Sequence, residues 1–317
     1  MSVGADAFQP IDACWICGGR RLTPYHTLRF ELDVFRNSDQ DHELAAYTGS
    51  TLRLVRCGAC GFGQPEALPT LPRYFDRLYD QRHDEQWIDG EFRASYKDLI
   101  FTSVLRDLDA RVRSGGRRLL DVGTHAGRFL QFATRAGWQA EGIELNPRTA
   151  AFAAAHTGVP VHQANAESLA AEGHRYDAIV LTDVLEHIPA PLDVLSSLVR
   201  MLAPGGVLAI KVPSGSAQAL KERTLAALTS HRATLADNLV HVNHFSPGAL
   251  ALALDRVGLS ATVAAAAPEL NAPPSFSPRA TLSNLLRLGL YRLARLPGAV
   301  RTPLALHLQA YGLRGDA

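Results

Sequence analysis

The chain predicts an α/β fold built on an open, largely parallel sheet with helices on both faces. Between Arg118 and Val212, short apolar runs alternate with segments of helical periodicity that stop at Gly or Pro. The first run, Arg118–Val122, ends in Asp121-Val122 and passes through Gly123-Thr124-His125-Ala126-Gly127 into the helical segment Arg128–Arg135, the strand, turn and helix that open a βαβ unit. A length of 317 residues with 47% hydrophobic and 20% charged side chains can bury a core for one large domain plus an appendage.

Taken in order, the N-terminal stretch holds the only cysteines, as Cys14-x2-Cys17 and Cys57-x2-Cys60. Each pair can turn two thiolates toward one metal, and two pairs close a tetrahedral four-thiolate site, structural because no coordination position stays open. Gly18 and Gly61 follow the second cysteine of each pair, where a residue able to adopt positive φ lets backbone N–H groups face the sulfurs. The long gap between the pairs predicts strands and a loop over 27–51. Residues 1–68 are therefore read as a zinc-ribbon-like module, 69–115 as a helical connector or lid, 116–267 as the main domain and 268–317 as a helical extension. In the connector, Tyr74 to Tyr79 and Phe92 to Leu108 have helical spacing up to Ser114-Gly115-Gly116 and are expected to pack on the main domain, with Tyr74, Tyr79 and Trp87 as lid candidates.

Beyond the first helix, 139–145 reads as a strand, Asn146-Pro147 as the cap of a helix over 148–156, 159–163 as a strand, 166–171 as a short helix and 177–182 as a strongly apolar strand. A helix over 192–202 stops at Pro204-Gly205-Gly206, a strand covers 207–212, and 214–239 is polar and partly helical. Ser246-Pro247 caps a helix over 248–257, and 259–266 is read as the final strand. After a proline-rich link, the tail places leucines at helical spacing among Arg287, Arg292, Arg295 and Arg301, a basic amphipathic pattern expected to pack on its own domain or to pair in a homodimer, with membrane docking as the alternative.

The turn after the first strand narrows the ligand. A pyrophosphate-binding loop needs a middle glycine where this chain has His125, and Asp121 would repel phosphate. An amine-bearing, phosphate-free ligand would be attracted instead, and Glu144 at the end of the next strand is placed to accept bonds from ribose hydroxyls. An adenosine-like cofactor carrying an ammonium group, such as S-adenosylmethionine, satisfies both acids.

Residues from about Arg118 to Ala266 resemble a class I S-adenosylmethionine-dependent methyltransferase through Asp121-x-Gly123-x3-Gly127, Glu144, Asp183-Val184-Leu185-Glu186-His187-Ile188 and Leu202-x-Pro204-Gly205-Gly206. The cysteine pairs are similar to the zinc region of some sugar and natural-product methyltransferases. The resemblance implies a Rossmann-like seven-stranded sheet with the last strand antiparallel. It implies that Gly123 and Gly127 border the methionine part of the cofactor, Glu144 the ribose, and Asn165 and Ala166 adenine, with Asp121, Thr124, His125, Leu145 and Asp183 as further cofactor-binding residues. His187, His244 and His241, in that order, are the candidate bases for a hydroxyl or carbon acceptor. His241 and His244 could also hold a metal with Glu186 or Asp183.

A net charge of +1 and the lack of a basic stripe argue against a nucleic-acid partner, leaving a small-molecule acceptor. The absence of a leader or of a run of some 18 apolar residues predicts a cytoplasmic chain. Competing expectations are an RNA or protein methyltransferase that docks through the zinc module, and a non-catalytic adaptor.

Overall fold

A computed structural model describes residues 5–32, 41–80, 85–228, 237–271 and 277–316. The N-terminal module starts with β1 (Phe8–Pro10) and β2 (Leu22–Arg29), passes through a one-turn helix α1 (His42–Ala45), and continues with β3 (Thr51–Cys57), β4 (Gly63–Pro65) and β5 (Ala67–Pro69). Strands β2, β3 and β4 form an antiparallel sheet, and β1 pairs with β5. The 27–51 gap therefore holds the end of β2 and helix α1, not further strands among the described residues; Asp41 caps α1 by accepting from the backbone of Glu43 and Leu44. Leu28, Phe30, Leu44, Tyr47 and Leu54 make the module's own core.

Three helices follow: α2 (Tyr74–Asp80), α3 (Glu85–Arg93) and α4 (Asp98–Arg111). The pattern read as one continuous helix over 92–108 breaks at 94–97, and the break turns Tyr96 and Lys97 inward to the cleft described below. Apolar positions of α4, including Phe101, Val104 and Leu108, pack on the main sheet as expected. Tyr74 is no lid residue: it is buried in the module core and its hydroxyl donates to the Asn238 carbonyl at 3.0 Å. The side chain of Tyr79 lies outside the described residues.

The main domain runs β6 (Arg118–Val122), α5 (Arg128–Arg135), β7 (Gln139–Ile143), α6 (Pro147–Thr157), β8 (Val161–His162), α7 (Ala166–Ala171), β9 (Tyr176–Thr182), α8 (Pro191–Met201), β10 (Leu202–Pro213), α9 (Gly215–Leu228), α10 (Pro247–Arg256), β11 (Ser260–Ala265), α11 (Pro278–Ala294) and β12 (His307–Leu313). The predicted caps hold: Asn146 accepts from the Arg148 and Thr149 N–H groups, and Ser246 from that of Ala249. Seven strands form one sheet in the order β11-β12-β10-β9-β6-β7-β8. β12 runs antiparallel to both neighbours, so the last strand is the reversed one.

The strand over 259–266 is thus not the final one. The segment expected to be a helical tail is helical only in α11 and then inserts β12 between β10 and β11. The motif of β12, His-Leu-Gln-Ala-Tyr-Gly-Leu, buries Leu308, Gln309, Ala310 and Tyr311 in succession, because a central strand has a covered face on both sides. Such a strand lacks the alternation that marks a half-exposed one.

The module and the main domain share a core: Cys14, Ile16, Cys57 and Phe62 belong to the same buried cluster as Phe245 and Ala249, and the Phe62 and Phe245 rings sit 5.0 Å apart. Gly63 and His244 form an antiparallel bridge between the two parts.

Candidate functional site

A cleft of about 1100 Å3 opens at the carboxyl ends of β6, β7 and β9, under a roof that includes Arg73, Phe75, Trp87, Glu91, Tyr96 and Lys97. This is where an open α/β sheet leaves a crevice, because chain crossings to opposite faces part the loops there. The turn after β6 is pinned to β7, since Gly123 and Thr124 both donate to the Ile143 carbonyl, at 2.9 and 3.1 Å. Gly123 has φ +66°, and a Cβ there would come 2.7 Å from a Val184 methyl, so the position accepts glycine alone.

Two carboxyl groups line the floor. Asp121 is buried, takes a 2.6 Å bond from the Thr124 hydroxyl, and is pushed up to about 7 by burial. Glu144 is also raised by burial, but its two oxygens accept backbone N–H groups of His125 and Asn146, each at 3.0 Å. That contact explains His125: its backbone lies in the left-handed region, φ +51°, which aims its N–H at Glu144. The His125 ring meets Trp87 edge-on at 4.8 Å, so the loop and the roof touch across the cleft. Buried acids of this kind favour a cationic ligand, which would draw Asp121 back toward its ionised form.

Leu145, Asn165, Ala166 and Asp183 also line the cleft. Asn165 spends its side-chain oxygen on capping α7, accepting from the Ser168 N–H at 2.8 Å. Gly127 does not line the cleft. With φ +86°, and Thr157 and Ala153 within 3.0 Å of where a Cβ would stand, it allows α5 to lie close on α6.

Beside the floor the cleft is also lined by Asp183, His187, Tyr96 and Lys97, and the Lys97 charge is felt by Asp121. Burial acts to raise Asp183, yet Lys211 and Lys97 outweigh it and hold the carboxyl far below its ordinary range. Lys97 reaches it at 2.9 Å; Lys211, fully buried on β10, bonds it directly and lies 3.5 Å from Glu269. Asp183, Glu269 and His307 have metal-ligating spacing, but the Lys211 ammonium already supplies their cation.

His187 donates from Nδ1 to the Val240 carbonyl at 2.5 Å, which sets the tautomer that leaves a lone pair on Nε2. Glu186 beside it is 1% exposed, its carboxyl is raised well above the ordinary range by burial, and neither oxygen has a hydrogen-bond partner. His241 packs its ring 4.8 Å from that of His187, and burial lowers it well below the usual imidazole range. Ligating atoms of Glu186, His187 and His241 lie within 4.8 Å of one another. His244 sits elsewhere: fully buried against Tyr25 at the module junction and lowered to about 4 by burial, it does not line the cleft. It takes no part in the metal-spaced group, and neither it nor His241 is a rim residue, because residues 238–245 run behind the Leu185–Ile188 turn.

Asn243, missed in the sequence, holds that turn. Its amide donates to the carbonyls of Leu185 and Ile188 at 2.8 and 2.7 Å, while the backbone N–H groups of Val242 and Asn243 donate to the Glu186 carbonyl. Lys97 and Lys211 were missed as well. Lys211 had a sequence signal, a lone charge inside an apolar strand.

At the N-terminus the four sulfurs converge. Cys14 and Cys60 stand 3.5 Å apart, Cys17 and Cys57 likewise, and all four lie within 4.8 Å of one another. Gly18 and Gly61 have φ of +73° and +74°, and Gly19 and Ala59 donate backbone N–H groups to Cys17 and Cys57.

Residues 92–263 match the family described as "Methyltransferase domain". The chain belongs to the methyltransferase family. Among curated proteins it is 35% identical over 108 residues to a ubiquinone biosynthesis O-methyltransferase of Cereibacter sphaeroides, covering 32% of this chain and 44% of that one. It is 33% identical over 129 residues to a protein of the same name from Pseudomonas fluorescens, covering 38% and 55%. The chain thus spans about half the length of the curated relatives it matches. Among solved structures, the plantazolicin methyltransferase BpumL in complex with SAH superposes with a TM-score of 0.50 at 14% identity, covering 76% of this chain and 94% of that one, a likeness of fold. The methyltransferase match spans β6 to β11 and leaves the cysteine module outside it.

Proposed function

We propose that this chain is an S-adenosylmethionine-dependent O-methyltransferase acting on a hydroxyl of a small molecule, with a structural zinc in its N-terminal module. The observation that carries the reading is the acidic floor: Asp121 and Glu144, both buried and both raised, face a cleft that His187 also lines. The cofactor would supply a methyl group on a sulfonium, a leaving group that needs no activation. The protein's part is then to bind, orient and manage a proton.

Asp121 offers its carboxylate to the cofactor's ammonium group. Glu144, rigidly held by two backbone N–H groups, has lone pairs left for ribose hydroxyls. Leu145 and the Asn165–Ala166 segment flank the adenine end. His187 Nε2 takes the acceptor's proton, the Val240 carbonyl keeping the ring in the competent tautomer. The relatives' names, O-methyltransferases of ubiquinone biosynthesis, support a hydroxyl acceptor over a carbon one; a sugar or another biosynthetic intermediate fits the cleft volume equally.

A second reading is favoured by the spacing of the Glu186 carboxyl, 4.0 Å from His187 Nε2: a divalent cation held by Glu186, His187 and His241 would fix the His187 side of the cleft from behind, since only His187 of the three lines it. Four cysteine thiolates at these spacings suit zinc, whose sulfur ligands at about 2.3 Å stand about 3.8 Å from each other.

Isothermal titration with S-adenosylhomocysteine tests the cofactor, and absence of heat at millimolar ligand overturns the assignment. Methyl transfer to a panel of phenols and sugars, with and without EDTA, separates the two readings of the acceptor end. Proton acceptance by His187 predicts turnover that survives EDTA as long as the four-cysteine zinc is retained, and a bound cation predicts loss at full zinc occupancy that Mn2+ restores.

A further inference from the structure

Helix α11 carries leucines on two sides, and the domain covers only one. Ala294 is buried in the main core and Tyr291 packs against it. Away from them, Leu282 is 69% exposed, Leu285 and Leu286 62%, Leu293 49%, and Leu296, two residues past the helix, 57%. At 3.6 residues per turn these five fall in one stripe about 100° wide. Exposed Arg279 and Arg292 fall at its two edges, with exposed Arg295 and Arg301 further along. From Asn271 to Gly315 the chain has six arginines, Arg279, Arg287, Arg292, Arg295, Arg301 and Arg314, and no acidic residue, against a net charge of +1 for the whole.

We propose that this face of α11 docks on an anionic phospholipid surface. Leucines of the stripe would enter the headgroup–acyl boundary, and the flanking arginines would meet lipid phosphates. A second copy of the chain suits the face poorly. A two-fold contact sets the same patch against itself, opposing arginine to arginine with no acid in the segment to pair them. Among the described residues no helix is long and apolar enough to cross a membrane, so the attachment is peripheral.

The placement has a consequence for the cleft. Asn284 of α11 exchanges hydrogen bonds with Asn271, and the N–H of the preceding Leu270 donates to the carbonyl of Tyr96, which lines the cleft. The Tyr96–Lys97 part of the cleft is thus tied to the face of α11 turned away from the leucine stripe. The docking itself does not rest on the methyltransferase reading.

Co-sedimentation of the full chain with vesicles tests it. Binding to phosphatidylcholine vesicles with about one-third phosphatidylglycerol is expected to exceed binding to pure phosphatidylcholine by at least about tenfold and to weaken with added salt. The double variant Leu285→Glu/Leu286→Glu, at exposed positions, is expected to keep the wild-type melting temperature and lose the vesicles. Equal or absent binding to both vesicle types overturns the proposal. So does a concentration-dependent dimer in sedimentation equilibrium that the same variant dissociates while vesicles capture nothing.

Discussion

The floor acids make distinct demands on a single side chain. Asp121 is raised to about 7 by burial, so the folded chain holds a proton there that the unfolded chain has released. Its contribution to stability is present below about pH 4 and is lost as pH rises toward 7. Asp121→Asn mimics the protonated group and keeps an oxygen for the Thr124 hydroxyl. Its melting temperature relative to wild type is expected to climb between pH 5 and 7 and level off above; a constant difference would remove the assignment. Glu144→Ala removes the carboxylate that accepts the N–H groups of His125 and Asn146 and is expected to weaken S-adenosylhomocysteine by roughly 30-fold or more, about 2 kcal/mol, in calorimetry. Both acids were legible as residues because the turn and strand end that carry them have fixed offsets. The role of His125 was not, since it lies in the backbone N–H and not in the ring.

At the scale of elements, residues 238–245 join the cysteine module to the Leu185–Ile188 turn. Asn238 holds Glu31 of the module through both side-chain atoms, the Val240 carbonyl accepts a hydrogen bond from His187 Nδ1, Asn243 ties the turn, and His244 bridges to Gly63. Asn243→Ala is expected to lose about 1–3 kcal/mol of stability, as the Leu185 and Ile188 carbonyls lose the amide that joins them. Turnover should fall further than cofactor affinity, a split that steady-state kinetics beside calorimetry would show. The module should hold one zinc per chain, and Cys57→Ser should lose it and lower the melting temperature; metal analysis of reduced, purified protein finding none refutes the site. Sequence spacing exposed the cysteines because metal ligation needs close pairs. It hid Asn243 and the distance of His244 from the cleft, because which side of a loop faces a cavity depends on what packs behind it.

For the whole molecule, the decisive feature is that the C-terminal segment completes the sheet. Removing residues 268–317 strips β12 from both β10 and β11 and bares the buried faces of Val207–Val212. The truncated chain is expected to be insoluble or to lack a cooperative melt in circular dichroism, whereas a detachable helical extension would leave the melt intact. The same segment is where the reading of the sequence was weakest. Its leucines fit packing on the domain, pairing or docking alike; the exposure of Leu282, Leu285 and Leu286 removes packing for that face, and the arginines without acids separate docking from pairing.

By itself the sequence determined the order of strands and helices from β6 to β11, the caps on Asn146 and Ser246, the acidic floor and the cysteine cluster. All of these rest on interactions between residues near in the chain or on motifs of fixed spacing. Tertiary structure alone decided that β12 enters the sheet, that Lys97 and Lys211 converge on Asp183, that His187 and not His244 faces the cleft, and that one side of α11 stays uncovered. Each of those depends on contacts across long stretches of chain, where local pattern carries no record of the partner.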